Sequence, residues 1–302
     1  PCFCSVLTHT VSTTSGATKI NIIVSSIPLE TARIMNLTFL SLGASLNLFI
    51  ILVIACNSTL HTAMNLHVIS LACSNMVLLI EPLEEVLRWF FETEMKLNMD
   101  YVCMINFDVS VSTMAILKLL LYANIFERHT PFGHQLLKNT TALKGILLVW
   151  TACTISLAIG LHIYDFFEGE MADIYVWITI MYIVMPFIIF LALDSLILYE
   201  LIIVKMVHGI WRTRELRSYV MLVIIATAFY LIRMPYRLAR AINFIEPKAS
   251  CCTDSKREIL YFIAKTFPIV FPIIYIALSN EFRQIYTEIC SHYVSFFEHS
   301  KF

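Results

Sequence analysis

This sequence is poor in charge and has no surplus of either sign: Asp, Glu, Lys and Arg make up 14% of 302 residues, with 21 basic against 22 acidic side chains. Neutralising a nucleic-acid backbone takes a basic surplus, so no nucleic-acid partner is expected. Motifs for common chemistry are missing too. There is no Gly-rich phosphate loop, no His-Glu-x-x-His pair and no Gly-x-Ser-x-Gly turn, and the expectation is a protein that is not an enzyme and holds no metal. His61, His67, His129, His134, His162 and His208 fall mostly near the ends of apolar stretches, where histidine is more often interfacial than catalytic. The two halves lack the self-similarity that marks common transporter folds.

What the chain has in abundance is apolar surface. Hydrophobic residues reach 59% and mean hydropathy +0.77, which a soluble domain could carry only with large exposed apolar patches. Seven stretches are long enough to cross a bilayer: Ile34–Ala55, Ala63–Phe90, Tyr101–Phe126, Ala142–Tyr164, Ile174–Met206, Leu216–Phe244 and Glu258–Ser279. The expected fold is all-α, a seven-transmembrane helix bundle over residues 31–279 with an eighth amphipathic helix on the inner interface. That last helix and a short tail take residues 280–302, where Phe282, Ile285, Tyr286, Ile289, Tyr293 and Phe296 recur at three-to-four spacing. Residues 1–30, Ser/Thr-rich and without an initiating Met, read as an extracellular leader left by processing or trimming.

Basic residues orient the bundle. Arg128, Lys138 and Lys144 follow the third span, and Lys205, Arg212, Arg214 and Arg217 join the fifth to the sixth, which makes those loops cytoplasmic and the N-terminus extracellular. The sequon Asn36-Leu37-Thr38 opens a span, a poor place for a glycan.

Ionisable residues inside the spans are the sharpest chemical feature. Glu81, Glu84 and Glu85 lie in the second, Asp108 and Lys118 in the third, Arg233, Arg237 and Arg240 along one face of the sixth, and Lys265 in the seventh. Each charge costs roughly 2.5–3.5 kcal/mol at the bilayer centre, so these side chains must face inward and be paired, hydrated or liganded. Two readings stand. In one, the acids of the second and third spans neutralise the bases of the sixth and seventh. In the other, a pocket bordered by Glu81 and Asp108 presents Arg237, Arg240 and Lys265 to an anionic group of a ligand. Arg233, the deepest of its row, is expected in the scaffold, paired with an acid or ordered water.

Twenty-five residues separate Cys103 from Arg128 in Glu127-Arg128-His129, a helical rise of about 37 Å, enough to cross a membrane with some tilt. Asn47, Leu71-Ala72-Cys73-Ser74-Asn75, Trp150, Pro186, Pro235, Phe271-Pro272-Ile273-Ile274-Tyr275 and Phe282-Arg283 follow in order. This set resembles the landmarks of rhodopsin-like (class A) G-protein-coupled receptors over roughly residues 31–293. The resemblance implies a plasma-membrane receptor with an extracellular ligand of unspecified class, a heterotrimeric G protein and membrane lipid as partners. It also implies switch roles for Glu127, Arg128, Arg233, Pro235, Pro272 and Tyr275, and a G-protein docking surface at Arg212, Arg214 and Arg217. Cys103 sits where the family has a disulfide, but no cysteine lies between Tyr164 and Val176. It is either free or joined to Cys2, Cys4, Cys251 or Cys252.

Departures make the member atypical. Asn75 replaces the family's second-helix aspartate, Phe271 its seventh-helix asparagine, Arg233 its sixth-helix aromatic and Asp194 its fifth-helix tyrosine. Lys265, seven residues before Pro272, resembles the opsin lysine that binds retinal, and Pro235-Tyr236 resembles the opsin sixth helix. No cofactor is expected. A retinal-binding photoreceptor and a small-solute transporter are the alternatives, and ion pairing with Glu81 or Asp108 is the more ordinary fate of Lys265.

If Glu127 restrains Arg128 in the resting bundle, Glu127→Gln should raise basal G-protein nucleotide turnover, and Arg128→Ala should lower coupling at unchanged surface expression. Turnover measured at matched receptor density checks both; equal basal rates in all three proteins would remove the lock.

Overall fold

A computed structural model describes residues 27–93, 99–126, 130–166, 171–209, 213–245 and 254–284. Among the described residues there is no strand. The helices are α1 (Leu29–Cys56), α2 (Ala63–Leu78), α3 (Ile80–Phe91), α4 (Met99–Phe126), α5 (Pro131–Leu136), α6 (Asn139–Phe166), α7 (Met171–His208), α8 (Thr213–Ile245), α9 (Asp254–Ala264) and α10 (Phe267–Leu278). Residues 280–284 then begin another helical turn; the remainder of the expected amphipathic helix, residues 285–297, lies outside the described residues. Seven segments are long and apolar enough to cross a membrane: α1, α2 with α3, α4, α6, α7, α8, and α9 with α10. The fold is an all-α seven-helix bundle.

Two spans read as continuous from hydropathy are broken by proline. Pro82 has no N–H for the Leu78 carbonyl and its ring crowds that turn, so α2 stops at Leu78 and Leu79 forms the joint before α3. Pro268 acts alike on Ala264, which ends α9; Lys265 and Thr266 form a turn before α10. Pro186 and Pro235 stay inside continuous α7 and α8.

α1 packs between α2 and α10, α6 lies against α2, and α8 lies between α7 and α10, while α4 packs against α2, α6, α7 and α8 and so holds the centre. Burial agrees, with 61% of the α4 window inside the protein against 11% for α6 and 17% for α7. The rim helices turn side chains such as Leu147, Leu148 and Leu231 outward, the surface a lipid phase would cover. Inside, Phe229 meets Phe267 with ring centroids 5.2 Å apart, and Phe267, Phe271 and Tyr275 stack down α10 to Phe282.

A polar junction ties the first, second and seventh spans. Pro272 supplies no N–H, so the Pro268 carbonyl loses its donor within α10. Asn47 replaces it: its Nδ2 donates at 2.7 Å to Pro268 O and at 2.7 Å to Gly43 O, while its Oδ1 accepts from Asn75 Nδ2 at 3.2 Å. Gly43 permits the approach, since a Cβ there would meet Leu79 Cδ1 at 3.0 Å and Pro268 Cβ at 3.4 Å.

Asn47→Ala should strand both the Pro268 carbonyl and the Asn75 amide, at about 1–3 kcal/mol for each buried group left unsatisfied. Adding Pro272→Ala returns a backbone N–H to Pro268 and should recover part of the loss. Thermal melting of the purified single and double variants measures this, and a double variant no more stable than Asn47→Ala would show that the carbonyl was not the cause.

Candidate functional site

The turn between α9 and α10 delivers Lys265 to the interior. Its Nζ lies 3.0 Å from Glu81 Oε1, donates to Asn36 Oδ1 at 3.2 Å, and sits over the rings of Tyr261 and Phe262 at 4.4 and 4.8 Å. Both charged side chains are 3% exposed, so each depends on the other for what water would otherwise supply. Of the two acids open to Lys265, Glu81 takes it. Asn36 is buried in this cluster, which leaves its sequon no room for a glycan.

A second ion pair joins α4 to α7. Lys118 Nζ lies 2.6 Å from both Asp194 oxygens and 5.1 Å from the centre of the Phe190 ring. The sequence reading noted both residues and missed the pair, treating Asp194 only as a replaced tyrosine. The available signal was a lone cation within the third span and two acids, Asp194 and Glu200, within the fifth, the cation needing a counter-charge.

Asp108 is buried beside α8, where Arg237 is the cation acting on it. Arg237 also lies 5.5 Å over the Phe107 ring. It shares with Arg233 the wall of a cavity of about 20 Å³, which Cys103, Phe107, Tyr236 and Tyr261 line together with the apolar Leu78, Met104 and Ala264. A space of that size holds one or two waters. Arg233 is 4% exposed, its Nη1 makes no hydrogen bond, and its guanidinium carbon stands 5.8 Å over the Phe229 ring. Of the two partners expected for Arg233 in the scaffold, an acid or ordered water, no carboxylate among the described residues acts on it; Cys103, Tyr236 and like-charged Arg237 do. Cys103 Sγ lies 3.6 Å from the Tyr261 hydroxyl. Cys2, Cys4, Cys251 and Cys252 fall outside the described residues, as does the side chain of Arg240, so the structure brings together Arg233, Arg237 and Asp108 on one side and Glu81 with Lys265 on another.

At the opposite end of the bundle, the start of α8 is fastened to the segment after α10. Arg217 Nη1 donates to Asn280 Oδ1 at 3.2 Å, Asn280 Nδ2 donates to Arg214 O at 3.2 Å, and Arg214 meets Glu281 at 3.6 Å. The basic pair read as a docking surface is thus engaged within the chain; Arg212, Glu127 and Arg128 lie outside the described residues. Tyr275 donates to Asn65 Oδ1 at 3.0 Å, tying α10 to α2. Trp150 Nε1 donates to Ser70 Oγ at 3.0 Å and binds α6 to α2. Ser74 Oγ reaches Asn106 O at 3.1 Å and Ser110 Oγ at 3.0 Å, and Asn106 Nδ2 donates back to Ser74 Oγ at 2.9 Å, which joins α2 to α4.

The fold and these inward charges define a multi-pass, all-α membrane protein. No protein-family model matches the chain, and no curated protein matches it.

Lys265→Met and Glu81→Gln should each destabilise the bundle, by about 3–5 kcal/mol for a pair buried this deeply. The combined variant should lose less than the sum of the two, because neither charge is left alone. Melting of all three against the parent measures the coupling; additive losses would mean that the pair contributes nothing as a pair.

Proposed function

We propose that the chain is an atypical rhodopsin-like receptor of the plasma membrane, with its N-terminus extracellular, that binds an extracellular ligand and signals through a heterotrimeric G protein. The observation that carries this reading is the junction at Asn47. Two landmarks, Asn47 of the first helix and Asn75 of the second, bond there at 3.2 Å, and Asn47 bonds at 2.7 Å to the Pro268 carbonyl that a third landmark, Pro272 of the seventh helix, leaves without a helical donor. The Trp150 bond to Ser70 adds a fourth landmark in contact with the second helix.

The geometry suits a two-state device. In the resting form the cytoplasmic end of α8 is held to Asn280 and Glu281 by exposed, polar contacts, each worth little in water. A ligand that favours a form with α8 swung outward would release Arg214 and Arg217 for a G protein, with Arg212 beside them, at a modest expense. Lys265, held by Glu81 and Asn36, favours an internal ion pair over an imine to retinal.

The test is a second-messenger assay on cells expressing the chain, screened against peptides, amines, carboxylates, phosphates, lipids and light, with 11-cis-retinal added to purified protein in parallel. A G-protein-dependent response in darkness, basal or evoked, is expected, with no visible absorption band. A bleachable band lost in Lys265→Ala would replace this reading with a photoreceptor, and the absence of nucleotide exchange on any G protein under every condition would remove the receptor reading altogether.

A further inference from the structure

We infer that the cavity between α4, α8 and α9 is a binding site for a small monovalent anion of halide size. The case begins with charge balance. Among the described residues Lys265 is met by Glu81 and Lys118 by Asp194, and Asp108 acts on Arg237. No carboxylate of the described residues acts on Arg233, only the weak acids Cys103 and Tyr236, although it is 96% shielded from solvent and its Nη1 makes no hydrogen bond. Unlike a lysine, an arginine does not resolve this by losing its proton. A bound anion supplies the missing charge and accepts the idle N–H.

Shape and wall chemistry narrow the ligand. The cavity, about 20 Å³ and partly open, admits a body the size of one or two waters, so a monatomic halide suits it better than the larger tetrahedral phosphate or sulfate. The aromatic members of the wall are Phe107, Tyr236 and Tyr261. The ring edges of such residues carry positive potential, and the two tyrosines can donate hydrogen bonds. Arg237 on the same wall strengthens the positive field that an anion there would meet. The site does not depend on the chain being a receptor, because it requires no ligand from outside and no G protein.

Purified full-length chain in lipid nanodiscs is melted in chloride, bromide, formate, propionate and gluconate at matched ionic strength. Chloride and bromide should raise the melting temperature saturably over gluconate, as a ligand bound only by the folded state must. Arg233→Gln should raise the half-saturating chloride concentration about tenfold or more, the loss of one charge-assisted hydrogen bond. Ala264→Leu, which keeps Arg233 and fills part of the cavity, should abolish the chloride effect and serves where Arg233→Gln does not fold. Identical melting of the parent chain in all five salts overturns the site, as does an undiminished chloride effect in Arg233→Gln. Stabilisation by propionate without chloride overturns the free ion and assigns the cavity to the carboxylate of a larger ligand. Failure of G-protein coupling in cells leaves each of these outcomes intact.

Discussion

A peptide carbonyl cannot be left without a donor inside a protein that lives in hydrocarbon, and this requirement organises the bundle around Asn47. Pro272 deprives Pro268 of its helical donor, and the group that replaces it must come from within the bundle. One asparagine amide fills the place at 2.7 Å while also holding Gly43 O and receiving Asn75. The seventh span is thereby pinned to the first at a fixed height, and the second is pinned with it. Gly43 matters for the same reason, because any side chain there would push α1 away from Leu79 and Pro268.

Charge is distributed on a related principle. Lys265 with Glu81 links the seventh and second spans in one half of the bundle, and Lys118 with Asp194 links the third and fifth. Pairs of this kind are poor sources of net stability compared with apolar packing, but breaking one leaves a buried charge alone. Their effect is to specify which helices lie together and at what height. The polar contacts of Arg214 and Arg217 with residues 280–281 are of a different kind, being exposed and individually weak.

Hydropathy located the seven spans to within a few residues, since a helix needs about twenty apolar residues to cross a bilayer however it packs. It did not find the joints at Leu79 and at Lys265-Thr266, although the crowding by Pro82 and Pro268 is a local effect and was open to a reading four residues upstream. Periodicity placed Arg233 and Arg237 on one helix face, and the expectation that Lys265 finds an acid follows from the cost of a lone charge in lipid. The partner of Lys118 escaped notice because depth along a span can be counted from its ends, whereas rotation and neighbour cannot.

The amino-acid sequence by itself determined the number of crossings, the all-α class and the need for every inward charge to find company, because these follow from composition, chain length and solvation. Tertiary structure decided which acid Lys118 and Lys265 each meet, that Asn47 answers Pro272 across more than two hundred residues, and that Arg233 lines a cavity. Those outcomes depend on how helices rotate and cross, and that is settled by packing among residues distant in the chain.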